Sequence, residues 1–123
     1  MKNVLVVEDS KAIRSMIRVA LEEAGGYFAI EAGSGFEALK TLPTRRFDLI
    51  ITDINMPDIN GLELIGYVKS NSAYRDIPFV IVSTEKSEED KKRGMALGAA
   101  GYVVKPFKKE ELIAMVTRAL AGR

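Results

Sequence analysis

The chain has 123 residues, of which 47% are hydrophobic and 28% charged, with a formal net charge of +1. That length suits one domain with a proper core, and the charge balance argues against a dedicated nucleic-acid binder, whose phosphate contacts need a basic excess. The absence of cysteine and histidine excludes disulfides, thiolate sites and imidazole zinc sites, so any metal must be held by oxygen, which points to Mg2+ or Ca2+.

Met1-Lys2-Asn3 runs directly into the apolar residues 4–7, which Glu8-Asp9 interrupt too soon for a signal peptide. No apolar run approaches the ~20 residues of a membrane span, so a cytoplasmic protein without a membrane partner is expected. Residues 4–7 read as a first strand. Ile13, Met16, Ile17, Ala20, Leu21 and Ala24 then recur at helical spacing, and Gly25-Gly26 stops that helix. Residues 27–32 are a weaker strand, expected near a sheet edge. Phe36, Leu39 and Leu42 predict a short helical face ended by Pro43, and residues 47–52 a third strand. Leu62, Ile65 and Val68 predict the third helix, and residues 79–82 the fourth strand. Residues 87–97 are the weakest helix: Ser87 and Asp90 resemble a capping box, but Lys91, Lys92 and Arg93 leave few apolar anchors beyond Met95. Residues 102–104 form the fifth strand. Leu112, Met115, Val116, Ala119 and Leu120 make the last helical face.

The strands are apolar runs without strict alternation, the pattern of strands buried on both faces. Strand and helix alternate five times, which predicts a doubly wound α/β fold with a parallel sheet and right-handed crossovers. Five strands of ~5 residues, five helices of ~12 and connections of ~4 need roughly 120 residues. A single domain over 1–123 with no output domain is expected.

Ligands of open parallel sheets bind beyond the carboxyl ends of the strands. The first strand ends in Glu8-Asp9, the third in Asp53, the fourth in Ser83-Thr84 and the fifth in Lys105-Pro106. Carboxylates brought together repel and raise one another's pKa, a conflict that a divalent cation removes. Mg2+ favours one or two carboxylates together with phosphate oxygens, a lysine can pair with phosphate, and an aspartate can be the nucleophile that forms an acyl phosphate. Taken singly, an Asp after a strand is usually a cap or loop residue, Glu8-Asp9 could cap the first helix, and Lys105-Pro106 could be a turn. It is their joint placement on one rim that argues for function.

Glu8-Asp9, the run Asp53-Ile54-Asn55-Met56-Pro57-Asp58-Ile59-Asn60-Gly61-Leu62, Ser83 after Phe79-Val80-Ile81-Val82, and Gly101-Tyr102-Val103-Val104-Lys105-Pro106-Phe107 resemble the receiver domains of two-component response regulators. The likeness spans essentially the whole chain and is nearest to stand-alone receivers of the chemotaxis CheY type. It implies the flavodoxin-like strand order 2-1-3-4-5. By the same resemblance Asp53 is the phospho-acceptor, and the donor is a phosphohistidine on a histidine kinase or phosphotransfer protein. Asp9, Asp53 and the backbone carbonyl of Asn55 would hold Mg2+, with Glu8 acting through water. Lys105 would contact the phosphoryl group, and a cis bond to Pro106 is expected. Ser83 and Tyr102 would form the switch. Asn55, Thr84 and Glu85 would govern access of the attacking water; Thr84 is bulkier than the small residue frequent there, so no lifetime is inferred. The resemblance places a protein effector on helix four, strand five and helix five, with a motility-type output and no enzymatic role beyond the protein's own phosphoryl chemistry. That face carries Lys86, Lys91, Lys92, Arg93, Tyr102, Lys108 and Lys109, and its basic residues are ordinary solubility or a docking surface for an acidic partner or a phosphorylated kinase domain. Phe107 reads as core packing, and Asp58 as loop solvation or a cap of helix three.

Three other readings compete. Gly33-Ser34-Gly35-Phe36-Glu37-Ala38 fits a dinucleotide fingerprint about 20 residues before an acid, although Glu31 would repel the pyrophosphate. An Asp-nucleophile phosphatase would carry a second Asp where this chain has Asn55. A phosphorelay intermediate would pass the group on to another kinase domain instead of driving an effector.

Overall fold

The structure is a computed structural model that describes residues 1–84 and 88–122. Its elements run β1 (Lys2–Val7), α1 (Lys11–Ala24), β2 (Tyr27–Ala32), α2 (Gly35–Thr41) with a 3-10 turn (Leu42–Thr44), β3 (Leu49–Thr52), α3 (Gly61–Ser70), β4 (Phe79–Ser83), α4 (Glu88–Ala96), β5 (Gly101–Val104) and α5 (Lys109–Ala121). All neighbouring strands are parallel, and the sheet order is β2-β1-β3-β4-β5. This is the expected doubly wound arrangement. Among the described residues no helix is long and apolar enough to cross a membrane.

The strands are apolar throughout because both faces are covered. Val4 and Val6 point into a layer with Ile17, Leu21, Leu112 and Val116, from α1 and α5. Leu5 and Val7 point the other way, to Ala38, Leu64, Ile65 and Val68, from α2 and α3. The register aligns Val7 with both Ala32 and Thr52, and Thr52 with Ile81, so the carboxyl ends of the central strands form one rim.

Side-chain caps set the helix starts. Ser10 Oγ accepts the Ile13 N–H (3.3 Å), Ser34 Oγ accepts that of Glu37 (3.1 Å), and Asn60 with Glu63 closes a capping box. Gly25 and Gly26, at φ 81° and 87°, end α1 where expected.

Two expectations shift, and one falls on residues the structure does not describe. The third strand begins at Leu49 and not at residue 47; Phe47 is buried just before it, and Asp48 ties the entry to β1 by accepting the Asn3 N–H at 2.8 Å. Phe36 is 57% exposed, because α2 docks through Gly35 and Ala38 instead, with Leu42 buried as expected in the turn that follows. A side chain at position 35 would strike Ile59 O at 2.7 Å, so this helix approaches by its small residues, and Phe36 turns outward beneath the Lys40 ammonium, 5.2 Å from the ring centre. The capping box expected from Ser87 lies outside the described residues, as do Glu85 and Lys86. The described α4 buries Gly94 alone, in keeping with its weak apolar pattern.

Candidate functional site

The rim brings the strand-end residues together. Glu8 follows β1, Asp53 follows β3, Ser83 ends β4, and Lys105 follows β5 with a cis bond to Pro106. Glu8, Asp53, Ser83 and Lys105 are all buried, whereas Asp9 is exposed. One carboxylate oxygen from each of Glu8, Asp9 and Asp53 lies within 4.8 Å of the other two.

Lys105 Nζ sits between two of these acids. It donates to Glu8 Oε1 in a very short contact and to Asp53 Oδ2 at 3.1 Å. The second oxygens are used as well. Glu8 Oε2 accepts the Ser10 N–H at 2.9 Å, and Asp53 Oδ1 accepts the Ile54 N–H at 2.7 Å. Burial lifts the Glu8 carboxyl above its ordinary value; Lys105 and the Ser10 N–H pull it down, but the neighbouring Asp53 and Asp9 add to the rise. Burial alone would lower Lys105, but its bonds to Glu8 and Asp53 outweigh that and raise it. The three acids gather more negative charge on this rim than one ammonium neutralises.

The neighbouring backbone explains the placement. Asp53 N donates to Val7 O at 3.1 Å, Glu8 N to Ala32 O at 3.1 Å, and Lys105 N to Ser83 O at 2.9 Å, each extending a strand ladder by one step. Asn55 and Thr84 are exposed on the same rim, Tyr102 is half-buried against the α2–α3 core layer, and Phe107 packs against the other layer. Glu85 lies outside the described residues.

Sequence reasoning missed three contributors. Arg14 donates Nη1 to Glu8 O at 2.7 Å and Nε to Glu31 at 2.9 Å, pinning the β1–α1 turn to β2. Gly61 stands so close to Asp53 that a methyl carbon there would overlap the Asp53 carbonyl oxygen. Asp58 caps α2, not helix three; it accepts the N–H groups of Gly35 (3.3 Å) and Phe36 (2.8 Å), while Asn60 caps α3. A glycine at the first position of α3 was a readable signal of crowding; the partners of Arg14 and Asp58 were not readable. Asp58 also answers the dinucleotide reading, since its carboxylate fills the start of α2 where a pyrophosphate would lie. Ser10, and not the acid pair before it, caps α1.

A sequence profile described as the response regulator receiver domain matches residues 4–117. The phosphate regulon transcriptional regulatory protein PhoB of Pseudomonas aeruginosa is 37% identical over 119 residues, 97% of this chain and 52% of that protein. The protein PilG of the same organism is 34% identical over 113 residues, 92% of this chain and 83% of that protein. The solved structure of the chemotaxis protein CheY4 of Vibrio cholerae superposes with a TM-score of 0.91 at 42% identity, over 98% of this chain and 99% of that one. The chain spans about half the length of the PhoB proteins it matches.

Proposed function

The chain belongs to the response regulator receiver family, and from that premise we propose that it is a phosphorylation switch in which Asp53 takes a phosphoryl group from a phosphohistidine. The observation that carries the proposal is the Lys105 ammonium shared between Glu8 and Asp53 beside an exposed third acid. In the transfer, an Asp53 carboxylate oxygen bonds to phosphorus as the P–N bond to the donor imidazole breaks, and the imidazole leaves with the bonding pair. Lys105 lies where its ammonium can follow the charge onto the phosphoryl oxygens.

The donor set fits Mg2+. It consists of hard oxygens alone, clustered and under-neutralised, in a chain with no histidine or cysteine. Asp9, Asp53 and the Asn55 carbonyl would hold the ion, with Glu8 next to it. When bound, Mg2+ would offset charge on the phosphoryl oxygens. Ser83 would give its hydroxyl to the phosphoryl group, and Tyr102 would repack inward against its core layer. Asn55, Thr84 and Glu85 would shape water access.

We place the effector on α4, β5 and α5, where Met95 and Val104 are 44% and 40% exposed. The relatives' names divide between a transcriptional regulator and a chemotaxis protein, so they do not single out the motility output expected from the sequence. A relay role has its own support. Met16 and Val19 on α1 are 55% and 43% exposed, an apolar helix face suited to a helical donor or acceptor.

Incubation with Mg2+ and acetyl phosphate, followed by intact mass, tests the chemistry. One added phosphoryl group is expected, absent from Asp53→Ala and without Mg2+. No adduct, together with no Mg2+-dependent binding of beryllium fluoride, would overturn the proposal. Onward transfer to a phosphotransfer histidine domain separates relay from effector.

A further inference from the structure

The segment from residue 54 to 60 carries Asn55, and its course fixes where the backbone carbonyl of Asn55 points. Its two ends are held. Gly61 N donates to Ile54 O at 2.8 Å, and Asn60 starts α3. Its middle is held by a different element. The Asp58 carboxylate reaches across to α2 and accepts Gly35 N at 3.3 Å and Phe36 N at 2.8 Å. Next to it, Ile59 lies against Gly35 so closely that a methyl carbon there would meet Ile59 O at 2.7 Å and Ile59 Cβ at 2.8 Å.

This is more than a helix cap. Helix α2 already has one, because Ser34 Oγ accepts the Glu37 N–H at 3.1 Å. The Asp58 bonds span 23 and 22 residues of sequence, so they tie one loop to another element. The backbone N–H groups of Ile59 and Phe36 hold the Asp58 carboxyl below its ordinary value, in accord with a carboxylate engaged in this contact.

We propose that Asp58 is a positioning residue for the site: by clamping residues 54–60 onto the start of α2, it sets the Asn55 carbonyl and the Asp53 backbone for metal binding. The inference rests on the Mg2+ and phosphoryl reading given above. Asp58 itself touches neither metal nor phosphoryl group; it acts through the loop. Gly35 completes the clamp by leaving room for Ile59.

The test compares wild type with Asp58→Ala, Asp58→Asn and Gly35→Ala, and uses Gly66→Ala as a control, since a methyl carbon at Gly66 meets nothing within 4 Å. Three quantities are read: amide hydrogen exchange over residues 54–60 in metal-free protein, the Mg2+ dissociation constant by calorimetry, and the acetyl phosphate uptake rate at subsaturating and saturating Mg2+. Asp58→Ala is expected to speed exchange in that segment and weaken Mg2+ about tenfold, the usual size for loss of an outer support. Its uptake should recover toward wild type once Mg2+ saturates. Asp58→Asn keeps one acceptor oxygen and should recover part of the affinity, and Gly35→Ala should fall with Asp58→Ala. Unchanged Mg2+ affinity and exchange in Asp58→Ala would overturn the inference and leave Asp58 a helix cap. Should Asp58→Ala fail to fold, Asp58→Asn and Gly35→Ala decide between the two outcomes by the same quantities. A wild type that binds no Mg2+ would instead sink the underlying reading, while the exchange data would still report whether Asp58 holds the loop.

Discussion

Gly61→Ala is the sharpest test of how tightly Asp53, the proposed acceptor, is built in. The added methyl carbon would overlap Asp53 O and sit 2.9 Å from the Asp53 carbonyl carbon and 3.0 Å from Ile54 Cα. Carbon atoms pack comfortably at about 3.5–4.0 Å, so the loop must move by more than about 0.5 Å. Every atom in the way is backbone, and Asp53 and Ile54 are both buried, so no flexible side chain can swing aside. Overpacking of this kind costs about 1–3 kcal/mol, and for a domain of this size each kcal/mol lowers Tm by about 3–5 °C. If Asp53 is the nucleophile proposed above, displacing it by a fraction of an ångström to 1 Å should slow phosphoryl uptake by about ten- to a hundredfold. Thermal melts and acetyl phosphate uptake read both effects. A variant that melts and phosphorylates like wild type would show that the β3–α3 turn yields freely, and would refute the claim that the glycine is there for closeness.

Lys105→Ala leaves Glu8 and Asp53 buried without their cation and should cost about 3–5 kcal/mol in metal-free protein, part of it recovered by added Mg2+; a loss under about 1 kcal/mol in melts would contradict the buried pairing. The Glu8 carboxyl is raised by burial above its ordinary value, so its share of metal-free stability is present below the unfolded value and is lost as pH rises through the raised folded one. A Tm–pH profile of Glu8→Gln should lack that fall, and wild-type Mg2+ affinity should weaken as pH drops toward the raised value because a proton on Glu8 removes a negative charge beside the ion. Arg14→Ala frees the Glu8 carbonyl and leaves Glu31 paired, among the described residues, with Arg18 alone, so hydrogen exchange in the β1–α1 turn should rise while α5 stays protected; equal protection in both would show the turn is held without it.

How much of this was readable depends on where the information lies. The rim was legible because covalent order places Glu8, Asp53 and Lys105 one step past their strands, and parallel register does the rest. The outward turn of Phe36 was not legible, because α2 has only 7 residues and docks through Gly35 and Ala38, which hydropathy patterns rank low. The role of Asp58 was hidden for a different reason. A carboxylate in a loop has many possible N–H partners, and the pair it takes lies 22 and 23 residues back in the chain. The start of α1 could be read two ways until the backbone showed that Ser10, directly before the first helical residue, holds the cap and leaves Glu8 for Lys105.

Charge counting then separates the acids by task. Glu8, Asp9 and Asp53 against Lys105 leave two negative charges in excess, the deficit a divalent ion would fill. Glu8 and Asp53 are buried and bound to Lys105, so changing either one disturbs the fold as well as the site. Asp9 is exposed, and its charge raises the Glu8 carboxyl through a side-chain hydrogen bond. Asp9→Asn should therefore remove a proposed metal ligand and some repulsion together. In metal-free protein its stability should stay within about 0.5 kcal/mol of wild type or rise slightly. In wild type, Mg2+ at about a hundred times its dissociation constant should add about 2.7 kcal/mol, and Asp9→Asn should lose most of that gain. Paired melts with and without Mg2+ measure both numbers. If Asp9→Asn kept the full Mg2+ gain, the ion would have to bind without Asp9, and the assignment of the exposed acid as a ligand would fall.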